Sequence, residues 1–229
     1  MYAKRNYGFW MTFNWSKKPF IFGLIYSAGV FGLSQFVDIQ LPWSAITIIG
    51  IAVAFYLGFK NNSSYDRTWE ARKIYGGIVN SSRSFGAAVV SFIQGTNDAE
   101  VKKELIYRHI AWMTALRHQL RLSKPWEHTN ERLQHYAPTI CENYINQLDT
   151  ALSNYLSAQE INSLEGKANK ATQLLKNQSE RLQVLHDQGY FEDFRHMQIF
   201  AQIEDFYDHQ GKAERIKNFP FPRQYASTA

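Results

Sequence analysis

Two long stretches without a charged side chain stand near the start of the chain, Pro19 to Val37 and Ile39 to Phe59, with only Asp38 between them. A helix needs about 20 apolar residues to cross some 30 Å of hydrocarbon, and each stretch is of that order. The pattern predicts a hairpin of two membrane spans, turned at Asp38 and punctuated by Leu41-Pro42-Trp43. A cleaved signal peptide is one rival; it would carry a shorter apolar core, a small-residue cleavage site and then a polar chain. Here a second apolar stretch follows at once. A buried hairpin in a water-soluble core is the other rival, and the flanking charge argues against it. Lys4, Arg5, Lys17 and Lys18 precede the first stretch, Lys60, Arg67, Arg72 and Lys73 follow the second, and the turn holds one acid and no base. By the positive-inside rule both ends of the hairpin face the cytoplasm. Trp10, Trp15 and Trp43 fall near the interfaces this implies.

After Phe59 nothing is long and apolar enough to span. Residues Lys60 to about Gln94 continue the second helix in polar form, apolar again at Phe85-Gly86-Ala87-Ala88-Val89-Val90. Gly95-Thr96-Asn97-Asp98 breaks it. Val101, Leu105, Ile106, Ile110, Met113, Leu116 and Leu120 then recur near the helical period, with a stop at Lys124-Pro125-Trp126. Three more helices are predicted. One follows Pro138 with Ile140, Tyr144, Ile145, Leu148 and Leu152; one runs from Ser157-Ala158-Gln159-Glu160, which has capping-box spacing, to Gly189. The last runs from about Tyr190 to near Gly211, with Phe194, Met197, Phe200, Ile203 and Phe206 on one side. No alternating pattern of any length and no internal repeat interrupts this. The reading is all-α: a membrane hairpin over residues 1–59 and a cytoplasmic helical domain over residues 60–229.

Averages hide this organisation. The mean hydropathy of −0.37 belongs to an ordinary soluble protein, because a charged remainder dilutes the hairpin. The net charge of +5 and pI near 9.2 suit anionic lipid as well as nucleic acid, but no nucleic-acid-binding signature accompanies them. The single cysteine, Cys141, excludes an internal disulfide and reads as a small residue on a helix face. GxxxxGK, GxGxxG, HExxH, CxxC and GxSxG are absent. The histidines His109, His118, His128, His135, His186, His196 and His209 sit at no metal-ligand spacing with carboxylates. No enzyme activity, metal or cofactor is therefore expected.

The informative segment is the second apolar stretch. Ile51, Phe55 and Phe59 recur every fourth residue and so share one helix face. Gly50, Ala52, Ala54 and Gly58 between them are small residues of the kind that let membrane helices approach closely. Taken alone, such a stripe faces lipid or another helix more often than it lines a pore, although dewetting constrictions use the same residues. Directly after Phe59 the helix turns polar and dense in pattern, from Lys60-Asn61-Asn62 through Arg72-Lys73, so the span must leave the bilayer as a rod.

The stretch from Leu57-Gly58-Phe59 through Gly76 to Asn80-Ser81-Ser82-Arg83 resembles the bestrophin family, particularly its bacterial branch. Glu214-Arg215-Ile216-Lys217-Asn218, with Pro220 and Pro222, is similar to that family's segment leading to its later membrane helices. The resemblance implies an all-helical channel subunit, assembled as a homopentamer around one axial pore in the inner membrane, whose partners are lipid, permeant inorganic ions and further copies of itself. It implies that Ile51, Phe55 and Phe59 form the pore neck, and that a second, cytoplasmic aperture falls at Phe194. Core packing is an open alternative for Phe194. The sign of the permeant ion stays open between anion and cation, with chloride as the family's usual type. Thr68 stands where the family often has tryptophan, beside Trp69. The chain ends at Ala229, shortly after Pro222-Arg223-Gln224-Tyr225, where the family pattern continues into further membrane helices, so it is expected to be short of them. The acidic calcium cluster of animal bestrophins belongs to that later part, and calcium gating is not implied here. A membrane-anchored helical scaffold without a pore is the alternative from another class.

Overall fold

The computed structural model describes residues 8–37, 42–122 and 147–219, which form helices joined by turns, with no strand among them. The expected turn at Asp38 and Leu41 falls outside the described residues, as do Lys4, Arg5, the stop at Lys124-Pro125-Trp126, His128 and His135. So do the helix start after Pro138, with Ile140, Cys141, Tyr144 and Ile145, the stretch from Pro220 to Ala229, and the side chain of Trp15. The chain divides into two compact units, one up to Asn62 and one from Ser63.

Helix α1 spans Gly8–Ser34 and contains Pro19, which withholds one backbone donor from the ladder. Its side chains are exposed almost throughout, including Phe22, Ile25 and Phe31. Helix α2 spans Trp43–Phe92, 50 residues and about 75 Å of continuous helix. Hydroxyls inside it are satisfied locally: Thr47 donates to the Trp43 carbonyl, Thr68 to Ser64 and Ser82 to Ile78. Among the described residues α2 alone is long and apolar enough to cross a membrane, whereas two spans were expected. The reason lies in α1: its uncharged helical part runs only from Pro19 to Ser34, short of the about 20 residues a crossing needs.

The core belongs to the second unit. Ile74, Ile78, Phe85 and Val89 recur along one face of α2 at helical spacing, while Tyr75, Val79 and Val90 beside them stay exposed. Asn97, at φ 63°, turns the chain into α3 (Asp98–Arg121), whose first-turn Asp98 and Glu100 suit the positive end of the helix dipole. A short α4 (Leu148–Leu152) packs on α3, and α3 also packs on α6 (Lys170–Asp187) and α7 (Asp193–Asn218), which pack on each other. Trp112, Phe85 and Phe206 are the largest fully buried side chains of this cluster.

Two expected helices differ. The stretch from Ser157 to Gly189 is not one helix: Ser157 caps the short α5 (Ala158–Ser163), Gly166 at φ 71° reverses the chain, and Asn169 caps α6 by accepting from the Thr172 N–H at 3.0 Å. Only half of the capping box forms, since the Glu160 carboxylate is drawn to Arg108 at 2.7 Å instead of returning to its own helix start. The last helix begins at Asp193 and runs through Gly211 to Asn218, seven residues beyond the expected stop. Gly211 is exposed, and an added Cβ there would meet nothing, so no turn geometry is imposed on it. The buried face of α7 is Ile199, Ile203, Phe206, Gln210 and Ala213, while Met197 is exposed.

Candidate pore-lining face and its supporting helices

Ile51, Phe55 and Phe59 lie on one face of α2, in the unit that ends at Asn62, and are 52%, 63% and 66% exposed. The Phe55 and Phe59 rings run roughly parallel, 25° apart with centroids at 6.3 Å, as i,i+4 side chains on a helix do. An added Cβ at Gly50 or Gly58 would meet no atom within 4 Å, so within the described chain no helix uses the approach these glycines allow. The face is thus apolar, continuous and uncovered by the described residues. Lipid, another copy, or water in a narrow dewetting passage could each meet such a surface.

Phe194 belongs to the other unit, at the start of α7, and is 88% exposed. No described residue buries it, so the packing role that Ile199, Ile203 and Phe206 share does not extend to it.

Helix α7 runs antiparallel along the charged half of α2. Arg67 donates to the Ile216 carbonyl, and Arg215 donates to Glu70 Oε1 at 2.6 Å. Further along, His209 lies 3.3 Å from the Ser81 hydroxyl and close against Gly77, where a Cβ would sit 2.5 Å from its Cε1. Phe85 meets Phe206 edge to face, and Arg195 donates to the Phe92 carbonyl at 3.5 Å. Arg67 therefore ties the far end of α7 to α2 just beyond the apolar span.

The interface is cemented by buried polar groups. Trp112 Nε1 donates to Gln210 Oε1 at 2.9 Å, and Gln210 Nε2 donates to Thr172 and Glu214 at 2.8 and 2.7 Å. Arg108 is a second junction, bonded to Glu160, Glu104 and Gln178, with Arg181 also on Glu104. Burial opposes the charge on Arg108, but Glu160 and Glu104 outweigh it and hold its pKa above the ordinary value. His109 sits among Phe85, Trp112 and Phe206 with centroids at 5.1, 5.2 and 4.6 Å. The Ser82 hydroxyl donates to Ile78, so it accepts from His109 Nε2–H at 3.0 Å, which places a proton on Nε2. Burial pushes the pKa of His109 down to about 4.

One cluster escaped the sequence reading. His186 is bonded to Asp193 at 2.6 Å and lies 3.3 Å from Asp187, and His196 stacks on it. The signal was available, since all four residues flank Gly189, a turn residue at φ 79°. Among the described residues no group of three His, Cys, Asp or Glu side chains is arranged to hold a metal ion.

The family described as Bacterial/Fungal Bestrophin protein matches residues 17–228. A voltage-dependent anion channel-forming protein of Ralstonia nicotianae is 39% identical over 97 residues, covering 42% of this chain and 32% of that protein. The voltage-dependent anion channel-forming protein YneE of Salmonella typhi is 25% identical over 205 residues, 85% of this chain and 59% of its own length. The chain thus spans about a third to three fifths of the length of these curated relatives. The crystal structure of a bacterial Bestrophin homolog from Klebsiella pneumoniae superposes with a TM-score of 0.69 at 19% identity, covering 88% of this chain and 65% of that one. The all-helical fold is shared with it.

Proposed function

Because the chain belongs to the bacterial/fungal bestrophin family, we propose that it is a subunit of an anion-conducting channel, assembled as a homopentamer in the inner membrane. The observation that carries this reading is the uncovered apolar face of Ile51, Phe55 and Phe59, on a helix that continues without a break into a charged, tightly packed half. In this reading residues 1–59 are the membrane hairpin, residues 60–229 are cytoplasmic, and five copies of α2 bring the three side chains around an axis. Rings of Ile and Phe offer no ligand to an ion, so the neck gates by wetting and dewetting. Phe194 from each copy forms the second constriction at the cytoplasmic end, its exposed ring free of the subunit's own core. The anion type rests on the names its relatives carry.

The test is planar-bilayer recording in asymmetric salt. The reversal potential is expected on the anion side. Changing Ile51, Phe55 and Phe59 together to Ala widens the neck and lowers the cost of keeping it wet, so current or open probability should rise with the oligomer intact. A triple change at Val53, Tyr56 and Leu57 on another face is the control. Equal currents from the wild-type and neck-triple proteins, at equal amounts of intact oligomer, would remove these residues from the gate.

A further inference from the structure

The corner between α6 and α7 holds a titratable cluster that conduction through the neck leaves unused. After Gly189 turns the chain, His186 comes to rest against the first turn of α7. Its Nε2 lies 2.6 Å from Asp193 Oδ1 and its Nδ1 lies 3.3 Å from Asp187 Oδ1. Carboxylates only accept, so this arrangement calls for a proton on both ring nitrogens. Asp193, then Asp187, accordingly hold the pKa of His186 above the ordinary histidine value.

The His196 ring stacks on this cation, with centroids 4.9 Å apart and planes at 22°. Its Nε2 is buried without a partner, and Phe191 and Phe200 stand 5.7 and 6.2 Å from the ring. The charged groups that act on it are His186 and Asp187 across the corner and Asp193 on its own helix. Of the other charged residues nearby, Arg195 is engaged with Phe92 of α2 and Glu192 is an exposed N-cap. His196 also ends the first turn of α7, where the helix dipole disfavours a cation. Burial, then the charge on His186, hold the pKa of His196 below the ordinary value. The stack is therefore built to hold one cation, on His186, whose two ring nitrogens both face carboxylate oxygens.

We propose that this pair is an acid-sensitive switch on the cytoplasmic aperture: a proton taken up by His196 sets a second cation face to face with His186 and displaces the corner that carries Phe194. Phe194 lies between Asp193 and His196 in sequence, and its exposed ring follows the first turn of α7 wherever that turn moves. The inference rests on reading Phe194 as an aperture residue.

The sign follows from the two histidines. The contact of charged His186 with Asp193 persists as pH falls, whereas neutral His196 is lost as pH falls below the ordinary histidine value of about 6.5. Hydrogen exchange across Phe191–Met197, corrected for intrinsic chemistry, and bilayer currents are measured on the reconstituted protein from about pH 7.5 to 4.5. Exchange is expected to rise toward acid, by about tenfold for each pH unit over which His196 is depressed, with current changing over the same range. His196→Gln abolishes both transitions. His186→Gln removes the opposing charge, so protonating His196 is penalised less and both transitions lose amplitude, a reduction that serves by itself where His196→Gln does not assemble. A corner whose exchange stays flat with pH, or a transition retained in His196→Gln, overturns the switch. A corner transition without any change in current overturns the aperture role of Phe194 instead.

Discussion

Lowering the pH should cost this fold about 3 kcal/mol through His109 alone. The imidazole is buried between α2, α3 and α7, and burial is the sole cause that takes its pKa from 6.5 to about 4. In the unfolded chain it protonates near 6.5. In the fold the proton is refused until about pH 4, because Phe85, Trp112 and Phe206 surround the ring and the Ser82 oxygen accepts only one hydrogen bond from it. The unfolded state therefore binds more protons throughout that window. Stability is complete above 6.5, falls progressively toward 4, and has no further loss from this group below that. The carboxylates of Glu104, against its burial, and of Asp98 and Asp208 are held low by their basic partners, so what they contribute is lost as pH falls from their ordinary values of 4.5 and 3.8, at the acid end of the window and below, equally in wild type and variant. His109→Phe removes the titration, keeps an aromatic ring in the cluster, and leaves Ser82 still donating to Ile78. The assay is thermal unfolding in detergent from about pH 7.5 to 4. For a chain of this size about 2–4 °C accompany each kcal/mol, so wild type should lose roughly 6–12 °C more than the variant across the window. The readout is the slope, which a constant packing cost of the substitution does not change. Parallel pH profiles for the two proteins would refute the burial argument.

Two further substitutions probe the same interface. Gly77→Ala places a methyl 2.5 Å from His209 Cε1 and should destabilise the protein by about 1–3 kcal/mol, with most of that recovered when His209→Ala is added; additive losses in a thermal-melt double-mutant cycle would mean the two residues do not meet. Arg108→Ala strips Glu160 and Glu104 of a buried partner and should cost about 3–5 kcal/mol, partly restored by Glu160→Gln; a near-neutral effect in the same melt would show that the ion pair is not desolvated.

The helical class and the polar continuation of α2 were legible because each rests on a long, regular pattern. Ile74, Ile78, Phe85 and Val89 keep helical spacing, and Val101, Leu105 and Leu116 do the same on α3. Helix α7 misled the periodic reading because its buried face includes a glutamine. Gln210 is buried through bonds to Trp112, Thr172 and Glu214, partners more than thirty positions away in two of the three cases, and a search for apolar residues passes over it. Shifted back by that omission, the stripe took in Phe194 and Met197, which the fold leaves outside. Glycines misled in the same way. Gly189 and Gly166 adopt positive φ and turn the chain, while Gly211 sits in a continuing helix; one residue type served both, and only the surrounding contacts separate them.

What the single subunit leaves undone is informative about where its function lies. An apolar side chain stays exposed at a cost of about 1.5–3 kcal/mol relative to full burial, and this chain leaves Ile51, Phe55, Phe59 and Phe194 in that condition while burying polar groups such as Arg108 and Gln210 against hydrogen-bond partners. Among the described residues of its own unit none covers Phe194. Lipid, another copy or a dewetting passage can each cover the three positions on α2, and the three differ in what truncation does. Side chains against lipid or a neighbouring helix lose the same contacts in a closed and an open channel, so trimming them leaves the current per intact oligomer unchanged. Side chains around a pore axis set its width and the cost of keeping it wet, so trimming them raises the current. The neck-triple recording therefore separates the proposed pore neck from a lipid-facing or helix-packing stripe, and it is the measurement on which the pore-neck proposal stands or falls.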